Sequence, residues 1–191
     1  MMKRWYLMRH GQTDYNRRRC FYGSHDVSIN EQGQKDAKQL ALLMQKHAVD
    51  AIYTSSLKRT QETAQLAFPD RQVQPIGDFD ERGFGQWEGL TANEIEAAFP
   101  EDWQAWLEAP FEVTPPEAEV FSDFQTRVWT ATDRLLDTAD ESMALVAHLG
   151  VLRLIYQHLV DGAAVFWNID VPQGRVLLLE ELDQTWQATL L

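Results

Sequence analysis

Arg9, His10, Gly11, Thr13 and Asn16 have the types and spacing for chemistry on phosphorus. A neutral imidazole with one ring nitrogen free is a nucleophile near neutral pH. A guanidinium offers a planar fork of donors that fits phosphate oxygens. His10 attacking phosphorus beside Arg9 implies a phosphohistidine intermediate, and Gly11 lets the backbone come close to a bound group. His148 has the same setting as His10, an apolar run before it and a helical pattern after it, so the two rings can flank one phosphate. Arg59 comes in the first turn after a second apolar run. A phosphate ester's alkoxide leaves poorly unless protonated, so an acid is also required. Residue type leaves that choice open among Asp78, Asp80, Glu81 and Glu88.

These residues need elements to carry them. Trp5 to Met8 reads as a buried strand ending at Arg9-His10-Gly11. A loop is expected over 17–29, then a helix from Asn30 to about Lys46, with Ala37, Leu40, Ala41 and Met44 on one face. Further strands are expected at Asp50–Thr54, Val73–Ile76, Met143–Ala147, Val176–Leu182 and Thr185–Leu190. Ser55-Ser56 offers an N-cap for a helix from Leu57 to Phe68. Two more helices are expected, at Glu119–Thr138 and Gly150–Val160. The alternation predicts a three-layer α/β fold: a mostly parallel central sheet, helices on both faces, ligands at the strands' C-terminal ends. Residues 77–116 hold three of the seven tryptophans and four of the seven prolines. They read as a small helical cap inserted in a single domain over 1–191, with a capping box at Thr91–Glu94 and with Trp103 and Trp106 packing inside the cap.

The chain has 191 residues, 45% of them hydrophobic, with a formal net charge of −12. That charge argues against nucleic acid or an anionic membrane as a partner. It leaves room for a small phosphorylated substrate, which needs only local positive charge; Arg17, Arg18 and Arg19 lie close to the first motif. The single cysteine, Cys20, fits a reducing compartment, and no signal-like or 18-residue apolar run occurs. A cytoplasmic protein, monomer or homodimer, is expected. His25, His47 and His158 lack paired ligand spacing, so neither metal nor cofactor is expected.

Arg9-His10-Gly11-x-Thr13-x-x-Asn16 fixes five positions, too many for frequent chance recurrence. At this point the chain resembles the histidine phosphatase superfamily, the phosphoglycerate-mutase-like enzymes. Ser55-Ser56-Leu57-Lys58-Arg59-Thr60-Gln61-Glu62-Thr63-Ala64 is similar to its Ser-x-Leu-x-Arg segment, Gly23 to Gly33 to its Gly-x-x-Asp segment, and Glu81 to Gly89 to its Glu-x-x-(Phe/Tyr)-Gly-x-Trp-Glu-Gly stretch. His148-Leu149-Gly150-Val151-Leu152-Arg153 is similar to its His-Gly-Gly-Val-(Ile/Leu)-Arg, with Leu149 in place of a glycine beside the pocket. The tail, with Phe166-Trp167-Asn168-Ile169 and Val171-Pro172-Gln173-Gly174, resembles the α-ribazole-phosphate phosphatase group.

The resemblance implies a metal-independent phosphomonoesterase. His10 is its nucleophile and Glu81 its general acid, with a pKa raised by burial against the pull of the arginines. Arg9, Arg59 and His148 stabilise the transferring phosphoryl group and Asn16 bonds one of its oxygens. Gly11 and Leu149 border the substrate. The rival readings are a phosphoglycerate-type mutase, a non-catalytic phospho-ligand binding module and a plain α/β scaffold. Mutases carry more inserted structure, and a scaffold leaves the five-position match unexplained.

Overall fold

The computed structural model describes residues 3–191. One sheet holds β1 Arg4–Arg9, β2 Ala51–Thr54, β3 Gln74–Pro75, β4 Ser142–Ala147, β5 Val176–Leu182 and β6 Thr185–Leu190, in the spatial order β3-β2-β4-β1-β5-β6. The pairs β1·β4, β2·β4 and β2·β3 are parallel; β1·β5 and β5·β6 are antiparallel. The sheet is thus mixed, with four parallel strands and a closing hairpin, where a mostly parallel one was expected. The hairpin follows from its two-residue turn: Asp183 and Gln184 both take positive φ, 50° and 63°. A turn of that hand matches strand twist and sends β6 straight back along β5.

The described residues form seven α-helices, α1 Asp14–Arg18, α2 Glu31–Met44, α3 Lys58–Ala67, α4 Ala92–Ala98, α5 Pro100–Glu108, α6 Phe121–Leu136 and α7 Leu149–Leu159, of which α2 and α3 cover one face of the sheet and α6 and α7 the other. Side chains alternate across a strand. Trp5, Leu7, Leu145 and Leu179 therefore pack against Phe124, Val128, Leu152 and Ile155 of α6 and α7. Tyr6, Met8, Val146 and Leu178 pack against Leu40, Met44 and Ala64 of α2 and α3. Each such side chain removed from water contributes roughly 1.5–3 kcal/mol. These layers hold the C-terminal ends of β1, β2 and β4 side by side.

Two details differ from expectation. Residues 14–18 form α1, so the expected loop begins after Arg18 rather than at Arg17. Thr13 and Asn16 cap each other's backbone N–H groups there, a capping box with Asn in the usual Glu position. Ser55 and Ser56 do not cap α3. Leu57 occupies the cap position without a side-chain bond, and Asp26 Oδ1 accepts from the Lys58 N–H at 2.7 Å instead. Ser55 is turned inward and fully buried.

Within residues 77–116, Thr91 and Glu94 form the expected capping box of α4, and Pro100 starts α5. Trp103 and Trp106 stack at 5.6 Å, and Trp87 meets both edge-on. Phe21 joins the cluster, and its backbone pairs with Gly89 and Leu90. Glu88 completes the tie to the segment at 23–25. Its carboxylate accepts from the N–H groups of Gly23 (2.8 Å), Ser24 (2.8 Å), His25 (3.1 Å) and Phe84 (2.9 Å). E88Q places an amide donor against some of these donors and should lower the unfolding free energy by about 1–3 kcal/mol. Denaturant melts of the two proteins check this; coincident midpoints would show that the clamp carries no stability.

Candidate active site

Both histidines stand where their strands end. The His10 N–H donates to the Ala147 carbonyl at 2.9 Å, continuing the β1·β4 ladder by one residue. His148 follows Ala147 directly and precedes the first turn of α7. The two rings come within 5.2 Å, centroid to centroid. They are 3% and 1% exposed, yet both line a cavity of about 530 Å³, so each is buried in the protein and open to a ligand.

Hydrogen bonds fix the proton positions. A carbonyl only accepts, so the 2.8 Å contact to the Gly11 oxygen puts the His10 proton on Nδ1. The Nε2 lone pair is left free. Burial first, then the Arg59 and Arg9 charges, hold the His10 pKa well below the ordinary imidazole value. The ring therefore stays neutral and nucleophilic at neutral pH.

His148 differs. Arg59 Nε donates to its Nδ1 at 3.3 Å, and its Nε2 lies 2.8 Å from Ser55 Oγ. Thr60 Oγ1 donates to the Leu57 carbonyl at 2.7 Å and lies 2.9 Å from Ser55 Oγ. One proton order satisfies every contact: Arg59 to His148, His148 to Ser55, Ser55 to Thr60, Thr60 to Leu57. Both nitrogens of His148 are engaged. Its ring also meets that of His10, and its Nδ1 supports Arg59. Its pKa is also well below the usual value, through burial and then through Arg59, His10 and Arg9.

Arg59 is 1% exposed. Its terminal nitrogens donate to the carbonyls of His25 (2.9 Å) and Gly23 (2.8 Å), and it lies 4.7 Å over the Tyr22 ring. The loop clamped by Glu88 is therefore also the loop that orients Arg59. Arg9 lines the same cavity, with Nε buried and unpartnered among the described residues. Asn16 Oδ1 accepts from the Thr13 N–H and from Gln173 Nε2, both at 3.1 Å, which leaves its NH₂ group as a donor at the cavity wall.

The four carboxylates separate cleanly. Asp78 pairs with Arg134 at 3.1 Å, Asp80 accepts from the Ser56 N–H and hydroxyl, and Glu88 is the backbone clamp. Of the four, only Glu81 lines the cavity with the histidines. Burial pushes its pKa up, against the N–H groups of Arg82 (3.0 Å) and Gly150 (3.1 Å) and the charges of Arg59 and Arg9. A methyl group on Gly150 would meet the Glu81 carboxyl and force it to shift. Arg127 holds the backbone that carries Glu81, donating to the carbonyls of Asp78 and Asp80 while pairing with Glu119 at 2.7 Å.

Leu149 is on the cavity wall and Gly11 is not. A side chain on Gly11 would strike the backbone of Gly33, so close packing against α2 explains that glycine rather than approach to a ligand. Of the three arginines after the first motif, Arg19 alone reaches the wall, while Arg17 pairs with Asp14. Sequence reasoning missed Ser55, Tyr22, Arg127 and Gln173 as supports. Ser55 and Gln173 lie inside segments that carry the family resemblance, whereas nothing local marks Tyr22 or Arg127. Among the described residues no three His, Cys, Asp or Glu side chains group as metal ligands, and no helix is long and apolar enough to cross a membrane.

This geometry provides a neutral imidazole, guanidinium donors and a carboxyl group with a raised pKa around one cavity. The chain is 31% identical over 177 residues to the adenosylcobalamin/α-ribazole phosphatase of Escherichia coli strain K12, covering 91% of this chain and 87% of that one. It is 28% identical over 181 residues to phosphoserine phosphatase 1 of Hydrogenobacter thermophilus, covering 92% and 86%. The crystal structure of the α-ribazole phosphatase from Shigella flexneri superposes with a TM-score of 0.91 at 27% identity, over 98% of this chain and 95% of that one. The family profile of the histidine phosphatase superfamily (branch 1) matches residues 5–191, and the chain belongs to that superfamily.

Proposed function

We propose that this phosphatase hydrolyses small phosphate monoesters in two steps through a phosphohistidine on His10. In the first step Nε2 of His10 bonds to phosphorus, the P–O ester bond breaks, and the departing oxygen takes the Glu81 proton. In the second, water attacks phosphorus and gives a proton to Glu81; the N–P bond breaks and inorganic phosphate leaves. Arg9, Arg59 and the Asn16 amide stabilise charge on the transferring group, the main requirement of such chemistry. Residues 77–116 act as a cap that brings Glu81 over the strand ends. No step calls for a metal. The observation that carries this reading is the fixed tautomer of His10, with its free nitrogen in a cavity shared with Arg9, Arg59 and Glu81.

For the substrate we propose an ester with a ring-bearing alcohol, with α-ribazole 5'-phosphate, an aromatic riboside phosphate, as the leading candidate. Two observations support it: the activity named for similar proteins, and the aromatic outer wall of the cavity, including Phe84, Trp106 and Phe166. A sugar acid, as a mutase handles, makes little use of such a wall. The acidic chain and the cavity's size fit a small-molecule partner in the cytoplasm rather than nucleic acid.

H10A should abolish release of p-nitrophenol from p-nitrophenyl phosphate while the circular dichroism spectrum stays native. Wild-type-like turnover would overturn the nucleophile assignment. The pH profile supplies a second check. Glu81 must hold its proton to act as acid, so kcat on an alkyl phosphate should fall as pH rises through its raised pKa. His10, with a lowered pKa, should impose no acid limb near the ordinary imidazole value. E81Q should lose the alkaline limb and about 10²–10⁴-fold in kcat/KM on the alkyl ester, and far less in kcat/KM on p-nitrophenyl phosphate, whose leaving group departs unprotonated.

A further inference from the structure

A second cavity, about 510 Å³, adjoins the catalytic one and is not used by the mechanism above. The two share Phe111, Phe121, Phe166 and Trp167 as walls. Phe111 and Trp167 stand between them as a parallel stack, 5.5 Å apart and 14° from coplanar. They are 39% and 48% exposed, and Val165 beside them is 57% exposed. Large apolar side chains left open at a cavity rim mark a surface that something covers.

The lining says what kind of group covers it. In a chain with a net charge of −12, no charged side chain lines this pocket. Its polar members, Ser122, Gln125 and Gln157, are neutral. Two cations approach its aromatic rings, Arg153 at 5.1 Å over Phe166 and 5.5 Å over Trp167, and Arg82 at 5.4 Å over Phe121. Arg153 and Phe111 both lie against the Trp167 ring, so a ligand meets this pair at its exposed edge. The pocket therefore suits a planar, uncharged ring system. A macromolecular partner seated there would press on the wall of the catalytic cavity, whereas one extended ligand fills both.

We propose that this outer pocket is a second substrate-binding subsite, which takes the far ring of a phosphate monoester whose alcohol is longer than the catalytic cavity. The inference rests on the phosphomonoesterase reading and extends it to the substrate's length. The ester stays at His10, the alcohol passes along the aromatic wall, and its distal ring packs on the exposed edge of the Trp167–Phe111 stack. The amides of Gln125 and Gln157 meet its polar edge.

Two alkyl phosphates with comparable leaving groups test this: benzyl phosphate, with one ring near the ester, and riboflavin 5'-phosphate, whose three fused rings lie at the end of a five-carbon chain. The wild type should favour riboflavin 5'-phosphate in kcat/KM, chiefly through KM. V165D sets a carboxylate at an exposed position of the outer pocket, and W167A removes half of the stack. Each should lower the riboflavin-to-benzyl ratio of kcat/KM at least tenfold, with melting temperatures reported alongside. An unchanged ratio in both folded variants, a wild-type preference for benzyl phosphate, or occupation of the pocket by a second copy in sedimentation would overturn the proposal. If neither ester turns over, the phosphomonoesterase reading fails instead. Equilibrium binding of riboflavin 5'-phosphate to the wild type and both variants then decides the subsite separately.

Discussion

Arg59 carries a positive charge in the interior with carbonyls, an imidazole and an aromatic ring around it, but no carboxylate in salt-bridge contact. Burial disfavours that charge, and Glu81, Asp26 and Glu88 relieve it only from a distance. A desolvated cation held this way costs several kcal/mol unless an anion meets it. Much of the structure follows from that constraint. The loop at 23–25 must present its carbonyls, so its N–H groups need another acceptor, and Glu88 supplies one. His148 must accept from Nε, so its proton goes to Ser55 and Ser55 is lost as a helix cap. Burial, and after it the same charge, depresses the His10 and His148 pKa values, which keeps the His10 ring unprotonated.

The cavity divides the work by chemistry. Its inner end is built from strand termini and the first turn of α7, elements held by ladders and by the core on both faces of the sheet. Positions there are defined closely enough to aim a lone pair at phosphorus. Its outer wall comes from residues 77–116 and the turn at 166–168, where aromatic contacts rather than backbone ladders set the shape.

The sequence was legible where a local pattern dictates a local outcome. The β-strands and the long helices fall within one or two residues of their predicted spans, because apolar periodicity and caps such as Asn30 are short-range signals. Arg9-His10 and His148 could be placed at strand ends for the same reason. α1 was missed because its capping box uses Asn16 where Glu or Gln is usual, whereas the closing pair of strands joined near Asp183-Gln184 was legible even with no glycine in the turn.

What the residues alone determined is an inventory: a nucleophile, guanidinium groups, a set of carboxylates, and an α/β frame whose strand ends gather ligands. The family resemblance, not residue type, pointed to Glu81 among the carboxylates, and the folded chain supplies the physical contrast. Asp78, Asp80 and Glu88 each found a partner far away in sequence, and Glu81 was left on the cavity wall. Only the folded chain engaged both nitrogens of His148 and turned Gly11 toward Gly33 instead of a ligand. The physical reason is one of range. Backbone preference and hydrophobic period act over a few residues and are written in order along the chain. Proton order, desolvation and cavity shape depend on groups tens to more than a hundred positions apart, and they acquire values only when packing brings those groups within hydrogen-bond distance.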